Sequence, residues 1–240
     1  MRVAVLSDIH GFSLALETVL ADLDTQGPFD EIVVAGDLCE VGPAPAEVLT
    51  ILQSRSFTVL TGNTDADIVE EATSGWSRGS VRFALDQIGP SGVDYLADLP
   101  FSCRVTPPNA QSRADDLLVV HANPHNLLDR LTPDASDLEI REVLGDETAR
   151  AIAFGHYHVS FTRRIDETLL VDVSAVGNPK DGDLRCKYGI LTWNATAHTW
   201  SAEIRKLPYP LEATETQILA SALPNPQKAI AKLKRASYAS

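Results

Sequence analysis

Five short apolar segments of this chain end directly in a polar loop, and every one of these loops carries Asp, Asn or His. Short apolar runs that stop at polar residues are typical of buried strands. Because the carboxyl ends of parallel strands open on one crevice, we expect the five loops to converge there. The loops contain Asp8-Ile9-His10, Gly36-Asp37, Gly62-Asn63, His121 and Gly155-His156-Tyr157-His158.

The segments between these strands predict helices, and this alternation indicates an α/β fold. Apolar residues recur at helical spacing from Leu16 to Leu23, and the pattern ends at Gly27-Pro28. Strand–helix–strand order predicts a parallel sheet with right-handed crossovers. We expect helix over residues 65–88 and irregular structure over 89–116. After residue 158 the pattern becomes β, which predicts a second sheet packed on the first, and two helical segments follow.

The side chains expected in the crevice are two Asp, one Asn and four His, with no Lys or Arg at a strand end. Such a group is stable only with cations bound, because the carboxylates otherwise lack a counter-charge. Divalent transition metals accept mixed carboxylate and imidazole ligands. Seven ligands suffice for two ions, and Asp37 has two oxygens with which to bridge them. Two bridged ions lie ~3.5–4 Å apart and suit in-line displacement at phosphorus.

Each motif taken alone has a simpler structural explanation. Asp-x-His, Gly-Asp and Gly-Asn are common in turns, and His121 alone favours a structural role. The pair His156 and His158 is more informative, because two histidines that closely follow a buried strand have little structural purpose. The combination of five motifs, each at a strand end, indicates a metal site.

In these motifs the sequence resembles the calcineurin-like metallophosphoesterase superfamily, whose pattern is D-x-H, G-D-x-x-D, G-N-H-D/E, a single His after a strand, and G-H-x-H. Residues 1 to 206 carry the resemblance, which is strongest to a compact bacterial and archaeal phosphodiesterase-like branch. It implies a four-layer α/β/β/α sandwich, in which two mixed β-sheets lie face to face with helices outside. It also implies a metallophosphoesterase domain over 1–206, with 207–240 as a C-terminal helical tail packed on the same domain.

The resemblance further implies a dinuclear metal-dependent phosphoesterase. A hydroxide that bridges two divalent ions, of Mn, Fe or Zn, would attack the phosphate ester. A phosphodiesterase is favoured over a phosphomonoesterase, and the substrate would be a small-molecule phosphate ester or a nucleotide. The catalytic residues would be Asp37, Asn63 and His121. One ion would be held by Asp8, His10, Asp37 and His158, and the other by Asp37, Asn63, His121 and His156.

Three residues depart from the family pattern. Thr64 stands where the family has the histidine that protonates the leaving oxygen, and a threonine hydroxyl cannot do so near neutral pH. Val41 replaces the arginine of the Ser/Thr protein phosphatases, which argues against that type. Cys39 is either a soft ligand beside Asp37 or a small core residue, and the usual burial of Cys favours the second. His125 is a candidate to replace the missing acid, although a surface-loop histidine is the simpler interpretation.

Two other classes of protein stay open. The first is a catalytically weakened protein of this fold that acts as a regulatory or interaction scaffold, as one retromer subunit does. Thr64 fits that alternative, but a scaffold has no need to keep Asn63, His121 and both later histidines. The second is a single-metal hydrolase of another type, such as an amidase, and a bridging Asp37 argues against it. We therefore expect an enzyme.

Composition limits the partners and the compartment. The 240-residue chain has 20 Lys and Arg against 33 Asp and Glu, a net charge of −13, which disfavours duplex nucleic acid as a partner. Three widely spaced cysteines and the lack of a signal or membrane segment predict a cytoplasmic protein with no membrane partner. The basic tail from residue 225 fits a membrane or an acidic partner, but a solvated helix on the acidic body is preferred. The sequence does not indicate an oligomeric state.

Overall fold

Ten strands and seven helices make up the part of the chain that the computed structural model describes, residues 1–75 and 79–238. The strands are β1 (Arg2–Leu6), β2 (Glu31–Val34), β3 (Thr58–Val59), β4 (Ser102–Val105), β5 (Leu117–Val120), β6 (Ala151–Phe154), β7 (Phe161–Ile165), β8 (Thr168–Asp172), β9 (Cys186–Asn194) and β10 (Thr199–Leu207). The helices are α1 (Ser13–Gln26), α2 (Pro45–Gln53), α3 (Asn63–Ser74), α4 (Gly79–Ala97), α5 (Asp137–Leu144), α6 (Leu211–Ala220) and α7 (Pro226–Arg235).

The strands form two mixed five-stranded sheets. The first has the order β10-β9-β1-β2-β3, and the second has the order β4-β5-β6-β8-β7. Within the first sheet β1, β2 and β3 are parallel, as the strand–helix alternation predicts, and within the second β5, β6 and β8 are parallel. The loops that follow β1, β2, β3, β5 and β6 carry the candidate metal ligands.

The side chains of β1 point alternately into two hydrophobic clusters, one on each face of the first sheet. Val3 and Val5 pack between the sheets with residues of β5, β6 and β8. Ala4 and Leu6 face the opposite way and share a cluster with α1, α2 and α4. A third cluster joins the outer face of the second sheet to α5. Because successive side chains of a strand point to opposite faces, both sheets are covered on both faces, which gives the α/β/β/α sandwich that the resemblance implies.

Three sequence-based expectations about the elements are wrong. Residues 89–97 are helical, because α4 continues past a kink at Gly89 (φ 63°) and Pro90 fits the first turn of the second segment. Residues 102–105 form β4, which pairs antiparallel with β5. The change of pattern near residue 158 does not separate the two sheets: β7 and β8 join β6, whereas β9 and β10 extend the first sheet beside β1.

The two C-terminal helices pack on the helical side of the first sheet. Ile218 of α6 and Leu233 of α7 are buried in the same cluster as Leu16 of α1. The backbone N–H of Gly182 donates to the carbonyl of Ala236 at 2.8 Å, which fixes the end of α7. The division between a domain and a tail at residue 206 stays a prediction. No helix within the described ranges is long and apolar enough to span a membrane.

Candidate metal centre

The first group of candidate ligands lies where β1, β2 and β6 end. Ligand atoms of Asp8, His10, Asp37 and His158 all lie within 4.8 Å of one another, and all four residues are buried. Asp8 Oδ1 is 2.9 Å from His158 Nε2, and the Nε2 atoms of His10 and His158 are 3.2 Å apart. The structure thus brings together the four side chains that the resemblance assigns to one ion.

A second group lies beside the first, at the ends of β3, β5 and β6. Asn63 Oδ1 is 3.0 Å from His121 Nε2 and 2.9 Å from His156 Nδ1, and these two nitrogens are 3.2 Å apart. Asp37 connects the groups, because its Oδ1 is 3.5 Å from His121 Nε2 and its Oδ2 is 3.5 Å from His10 Nε2. Asp37 is therefore the residue that lies beside side chains of both groups.

Each of the four histidines is oriented by a backbone carbonyl. The ring nitrogen that faces away from the centre hydrogen-bonds to this oxygen over 2.6–3.1 Å. The pairs are His10 Nδ1 with Glu40, His121 Nδ1 with Ala35, His156 Nε2 with Leu128, and His158 Nδ1 with Asn178. A carbonyl only accepts, so these nitrogens carry the protons, and in a neutral ring the other nitrogen has a free lone pair. Partners of this kind hold a metal-binding imidazole in place and fix its tautomer.

The chemistry of the two groups fits divalent cations. With neutral rings, the atoms that face each group are all acceptors, namely carboxylate oxygens, the Asn63 amide oxygen and imidazole nitrogens. Acceptors 2.9–3.2 Å apart repel unless a proton or a cation lies between them. Within the described part of the chain, Asp8 Oδ1 is moreover buried without a hydrogen-bond donor. Mixed oxygen and imidazole donors are the ligands that divalent transition metals accept.

Burial and neighbouring charges shift the pKa values of the side chains in the centre in different directions. Burial raises the pKa of the Asp8 carboxyl, but His158, with His121 and His10, outweighs it and holds this pKa well below its usual range. Burial lowers the pKa of the His10 imidazole to about 4 in spite of Asp37, so this ring is neutral and able to coordinate. At His121 burial lowers the pKa, but Asp37 and Asp8 outweigh burial and raise it overall.

The backbone holds most of the ligands in an uncommon conformation. Positive φ, between 53° and 65°, occurs at five of the seven candidates: Asp8, His10, Asp37, His156 and His158. Residues other than Gly seldom adopt this region, and such residues cluster at functional sites. Two glycines make room for the carboxylates, because a Cβ at Gly155 would overlap Asp8 and a Cβ at Gly62 would overlap Asp37. The glycines of the Gly-His and Gly-Asn motifs are therefore part of the site.

Asp65 has a positioning role that the sequence analysis missed. Its buried carboxylate accepts hydrogen bonds from the backbone N–H groups of Asp37, Leu38 and Gly62 over 2.8–3.0 Å. Burial, together with the charge of Asp37, raises the pKa of Asp65 to about 7. These bonds tie the loop that carries Asp37 to the beginning of α3. The available sequence signal was an acid at the third position of a helix, where it closes a capping box with Gly62.

The other residues singled out in the sequence have different surroundings. The backbone N–H of Thr64 donates to Asp37 Oδ1 at 2.9 Å, whereas its buried hydroxyl has no hydrogen-bond partner among the described residues. Cys39 packs in the core, where burial raises the pKa of its thiol. His125 is exposed and its Nε2 lies 3.0 Å from the carbonyl of Leu144. The simpler interpretations of Cys39 and His125 therefore agree with the structure.

The end of the chain covers the loop that carries the last two histidines. Tyr238 stacks on Tyr157 with ring centroids 5.3 Å apart, and its hydroxyl donates to the Tyr157 carbonyl at 2.9 Å. Arg130 lies over both rings, 5.5 and 5.8 Å from their centroids. Because Tyr157 lies between His156 and His158, these contacts help to order the loop. Sequence patterns did not indicate them, since they join residues 81 positions apart.

Comparison with known proteins agrees with this geometry. Residues 1–196 match the calcineurin-like phosphoesterase superfamily domain, and the chain belongs to that superfamily. An uncharacterized protein of Methanocaldococcus jannaschii is 23% identical over 92% of this chain and 93% of its own. Serine/threonine-protein phosphatase 2 of Escherichia coli K12 is 30% identical over 75% of this chain and 72% of its own. A crystal structure of a metallophosphoesterase from Sphaerobacter thermophilus has a TM-score of 0.79 at 22% identity, covering 98% of this chain and 100% of that one.

Proposed function

We propose that this protein is a dinuclear metal-dependent phosphodiesterase. The observation that carries the proposal is the position of Asp37, whose two carboxylate oxygens each lie 3.5 Å from a histidine nitrogen of a different group. A carboxylate shared in this way suits a bridge between two cations. Mn, Fe and Zn are the metals whose ligand preferences fit these donors. One ion would be held by Asp8, His10, Asp37 and His158, and the other by Asp37, Asn63, His121 and His156.

Bound divalent ions would neutralise charge on the phosphoryl oxygens and make water in the site more acidic. The chain's own residues supply the positioning. Backbone carbonyls hydrogen-bond to the histidines, and backbone N–H groups donate to Asp37 and Asp65. These bonds hold the side chains of the centre in place before a substrate binds, so little reorganisation is needed. Asp37, Asn63 and His121 are the proposed catalytic residues, because Asp37 Oδ1 lies beside His121 Nε2, which in turn lies beside Asn63 Oδ1. The Thr64 hydroxyl cannot protonate a leaving oxygen, so esters whose leaving group departs as a stable anion are the favoured substrates.

The charge of the substrate favours a phosphodiester over a phosphomonoester at this centre. A phosphodiester carries less negative charge than a phosphomonoester near neutral pH. Val41 stands where Ser/Thr protein phosphatases have arginine, so no guanidinium from that position is present to bind the extra charge. The name of the Escherichia coli relative suggests protein phosphatase activity as another possibility, and Val41 argues against it here. Small phosphodiesters and nucleotides are therefore the proposed substrate class.

Thr64 is the observation that favours the alternative, a catalytically weakened scaffold of the same fold. Against it stands the completeness of the centre. All seven ligand-type side chains are present, and each histidine has its orienting carbonyl. Metal binding needs this arrangement, whereas a protein-interaction surface does not. We therefore place the enzyme first.

Turnover by the purified protein with Mn²⁺ added tests the proposal. The substrates are bis-p-nitrophenyl phosphate, cyclic nucleotides, dinucleoside polyphosphates and phosphomonoesters. We expect diesters with good leaving groups to react fastest, and Asp37→Asn to abolish turnover. Asp166→Asn, at an exposed ion pair with Arg141, is the control and keeps it. Hydrolysis of monoesters alone contradicts the diester assignment, and absence of turnover with two metals bound favours the scaffold.

A further inference from the structure

A cavity of about 470 Å³ lies between helix α7 and the loop at residues 178–180, and we call it the basic cavity. Among the described residues that line it, none is acidic and four are basic: Lys180, Lys228, Lys232 and Arg235. The whole chain has a net charge of −13. A cluster of one sign that opposes the overall charge attracts anions to a defined place on the surface.

The four cations have no acidic partner among the described residues. Lys180 Nζ donates to the neutral amide oxygen of Asn178 at 2.5 Å. Burial, together with the positive charges of Lys232 and Arg235, lowers the pKa of Lys180 to about 8. The three charges are therefore close enough to repel one another. A bound anion would relieve this repulsion.

Three cations of helix α7 line the basic cavity. Lys228, Lys232 and Arg235 follow one another at spacings of four and three, which places them on one side of a helix. Lys234 lies on another side and pairs with Glu215 at 2.8 Å. The buried side chain of Leu233 anchors the helix to the core. A basic tail that only contacts solvent would not need such a buried anchor.

The basic cavity borders the metal centre at two points. Asn178 lines the cavity, and its backbone oxygen lies 2.6 Å from His158 Nδ1. Val41 also lines it and directly follows Glu40, whose backbone oxygen lies 3.1 Å from His10 Nδ1. In both rings Nδ1 contacts the backbone oxygen, and Nε2 faces the first group of ligands. One imidazole ring therefore lies between each oxygen and that group. The basic cavity therefore adjoins the backbone that orients two of the candidate ligands.

We propose that the basic cavity binds a second, uncleaved phosphate group of the substrate while the scissile phosphodiester lies at the metal centre. The inference rests on the proposed phosphodiesterase function and narrows its substrate to phosphodiesters that carry a further phosphate. A phosphate is favoured over a carboxylate, because several converging Lys and Arg donors match an anion with several charged oxygens. The absence of acidic residues from the described lining of the cavity fits a ligand whose charge is wholly negative at that end.

The test uses p-nitrophenyl alkyl phosphodiesters in which alkyl chains of increasing length end in either a hydroxyl or a phosphate group. The scissile bond and the leaving group are the same throughout, so the ratio of kcat/KM for the two end groups reports the distal phosphate alone. We expect metal-loaded wild-type protein to prefer the phosphate end by ~10- to 100-fold at one chain length or more, as for hydrogen bonds to charged groups. The preference weakens as salt rises.

The decisive variants are K228A/K232A and K228Q/K232Q, at exposed positions of α7 where Ala and Gln keep high helix propensity. Both should bring the ratio towards one, whereas Lys234→Ala, which removes the same kind of charge outside the cavity, leaves it unchanged. The inference is overturned by a ratio near one at every chain length in wild type, by a ratio that survives the double variants, or by an equal fall in Lys234→Ala. Loss of binding to phosphatidylserine vesicles in the double variants, with an unchanged ratio, overturns it in favour of a membrane role.

Failure of the proposed function gives a different result, because wild type then hydrolyses neither ester. In that case the variants are compared by the rise in melting temperature that an alkanediol bisphosphate produces in metal-loaded protein. A rise that is lost in K228A/K232A and kept in Lys234→Ala still supports phosphate binding in the basic cavity. Equal rises in all three proteins overturn it.

Discussion

The Nε2 atoms of His10 and His158 lie 3.2 Å apart, although each ring directs its Nδ1 towards a backbone carbonyl, that of Glu40 or Asn178. In neutral rings the two facing nitrogens are therefore both acceptors and repel each other. A cation between them replaces the repulsion with coordination. Because the fold keeps these atoms together, a bound metal favours the folded state over the unfolded one.

Chelation should accordingly lower the melting temperature. A ligand that binds only the folded chain stabilises it by about 2.7 kcal/mol at a concentration one hundred times its dissociation constant. We expect excess EDTA to shift the melting curve down and re-added Mn²⁺ to restore it. An unchanged curve in EDTA, with metal loss verified by elemental analysis, contradicts the centre as described.

Thr64→His should reduce the dependence of rate on the leaving group. Wild type has no imidazole at this position, so rates across a series of aryl esters should fall steeply as the pKa of the leaving alcohol rises. An imidazole next to Asp65 supplies a proton and accelerates poor leaving groups by at most ~10²–10⁴-fold. A flat dependence in wild type, with chemistry rate-limiting, shows that another acid is present, and His125→Ala then identifies or excludes His125.

Asp65→Asn should destabilise the fold. The amide keeps one acceptor oxygen but presents an NH₂ group to the backbone N–H groups of Asp37, Leu38 and Gly62. Unsatisfied buried donors cost about 1–3 kcal/mol. Denaturant unfolding measures the loss, and Asp67→Asn, on the exposed side of the same helix, is the control. Equal stabilities of the two variants refute the positioning role.

Gly155→Ala should weaken metal binding without removing a ligand. The added Cβ overlaps the Asp8 carboxylate, which must move. At Gly27 an added Cβ meets only ordinary contacts, the nearest 3.5 Å from the Leu23 carbonyl oxygen, so Gly27→Ala is the control. Metal titration of both variants, monitored by melting temperature, should show lower affinity in Gly155→Ala only. Equal affinities mean that the glycine has no part in shaping the site.

The sequence predicted the centre better than it predicted the sheets. Buried strands such as β1 and β6 have a clear apolar pattern and end at polar residues, so the ligand-type side chains could be located in the sequence. The meeting of Asp8 with His156 and His158 also depends on how the two sheets pack, because β1 and β6 lie in different sheets. The partners of β9 depend on contacts between distant parts of the chain, and no local pattern indicates whether it pairs with β8 or β1. Residues 89–97 were expected to be irregular, yet Gly89 and Pro90 form a kink within α4.

The supporting residues were harder to predict than the ligands. The carbonyls of Glu40 and Asn178 act through the backbone, so their residue types give no signal. The acceptor role of Asp65 could not be predicted, because it depends on where the Asp37 loop lies. The basic tail was expected on the acidic body, but its position beside the metal centre depends on the burial of Leu233 and could not be deduced from charge. The assignment of ligands to ions and the cytoplasmic location stay predictions.

Metal stoichiometry tests the central claim most directly. Elemental analysis of wild-type protein after Mn²⁺ loading and removal of free metal should give two ions per chain, and Asp37→Asn should lose affinity for both, because it removes charge from the shared carboxylate. Asp166→Asn should retain two. A wild-type protein that holds at most one ion per chain after loading, or an Asp37→Asn variant that still binds two as tightly, contradicts the dinuclear centre.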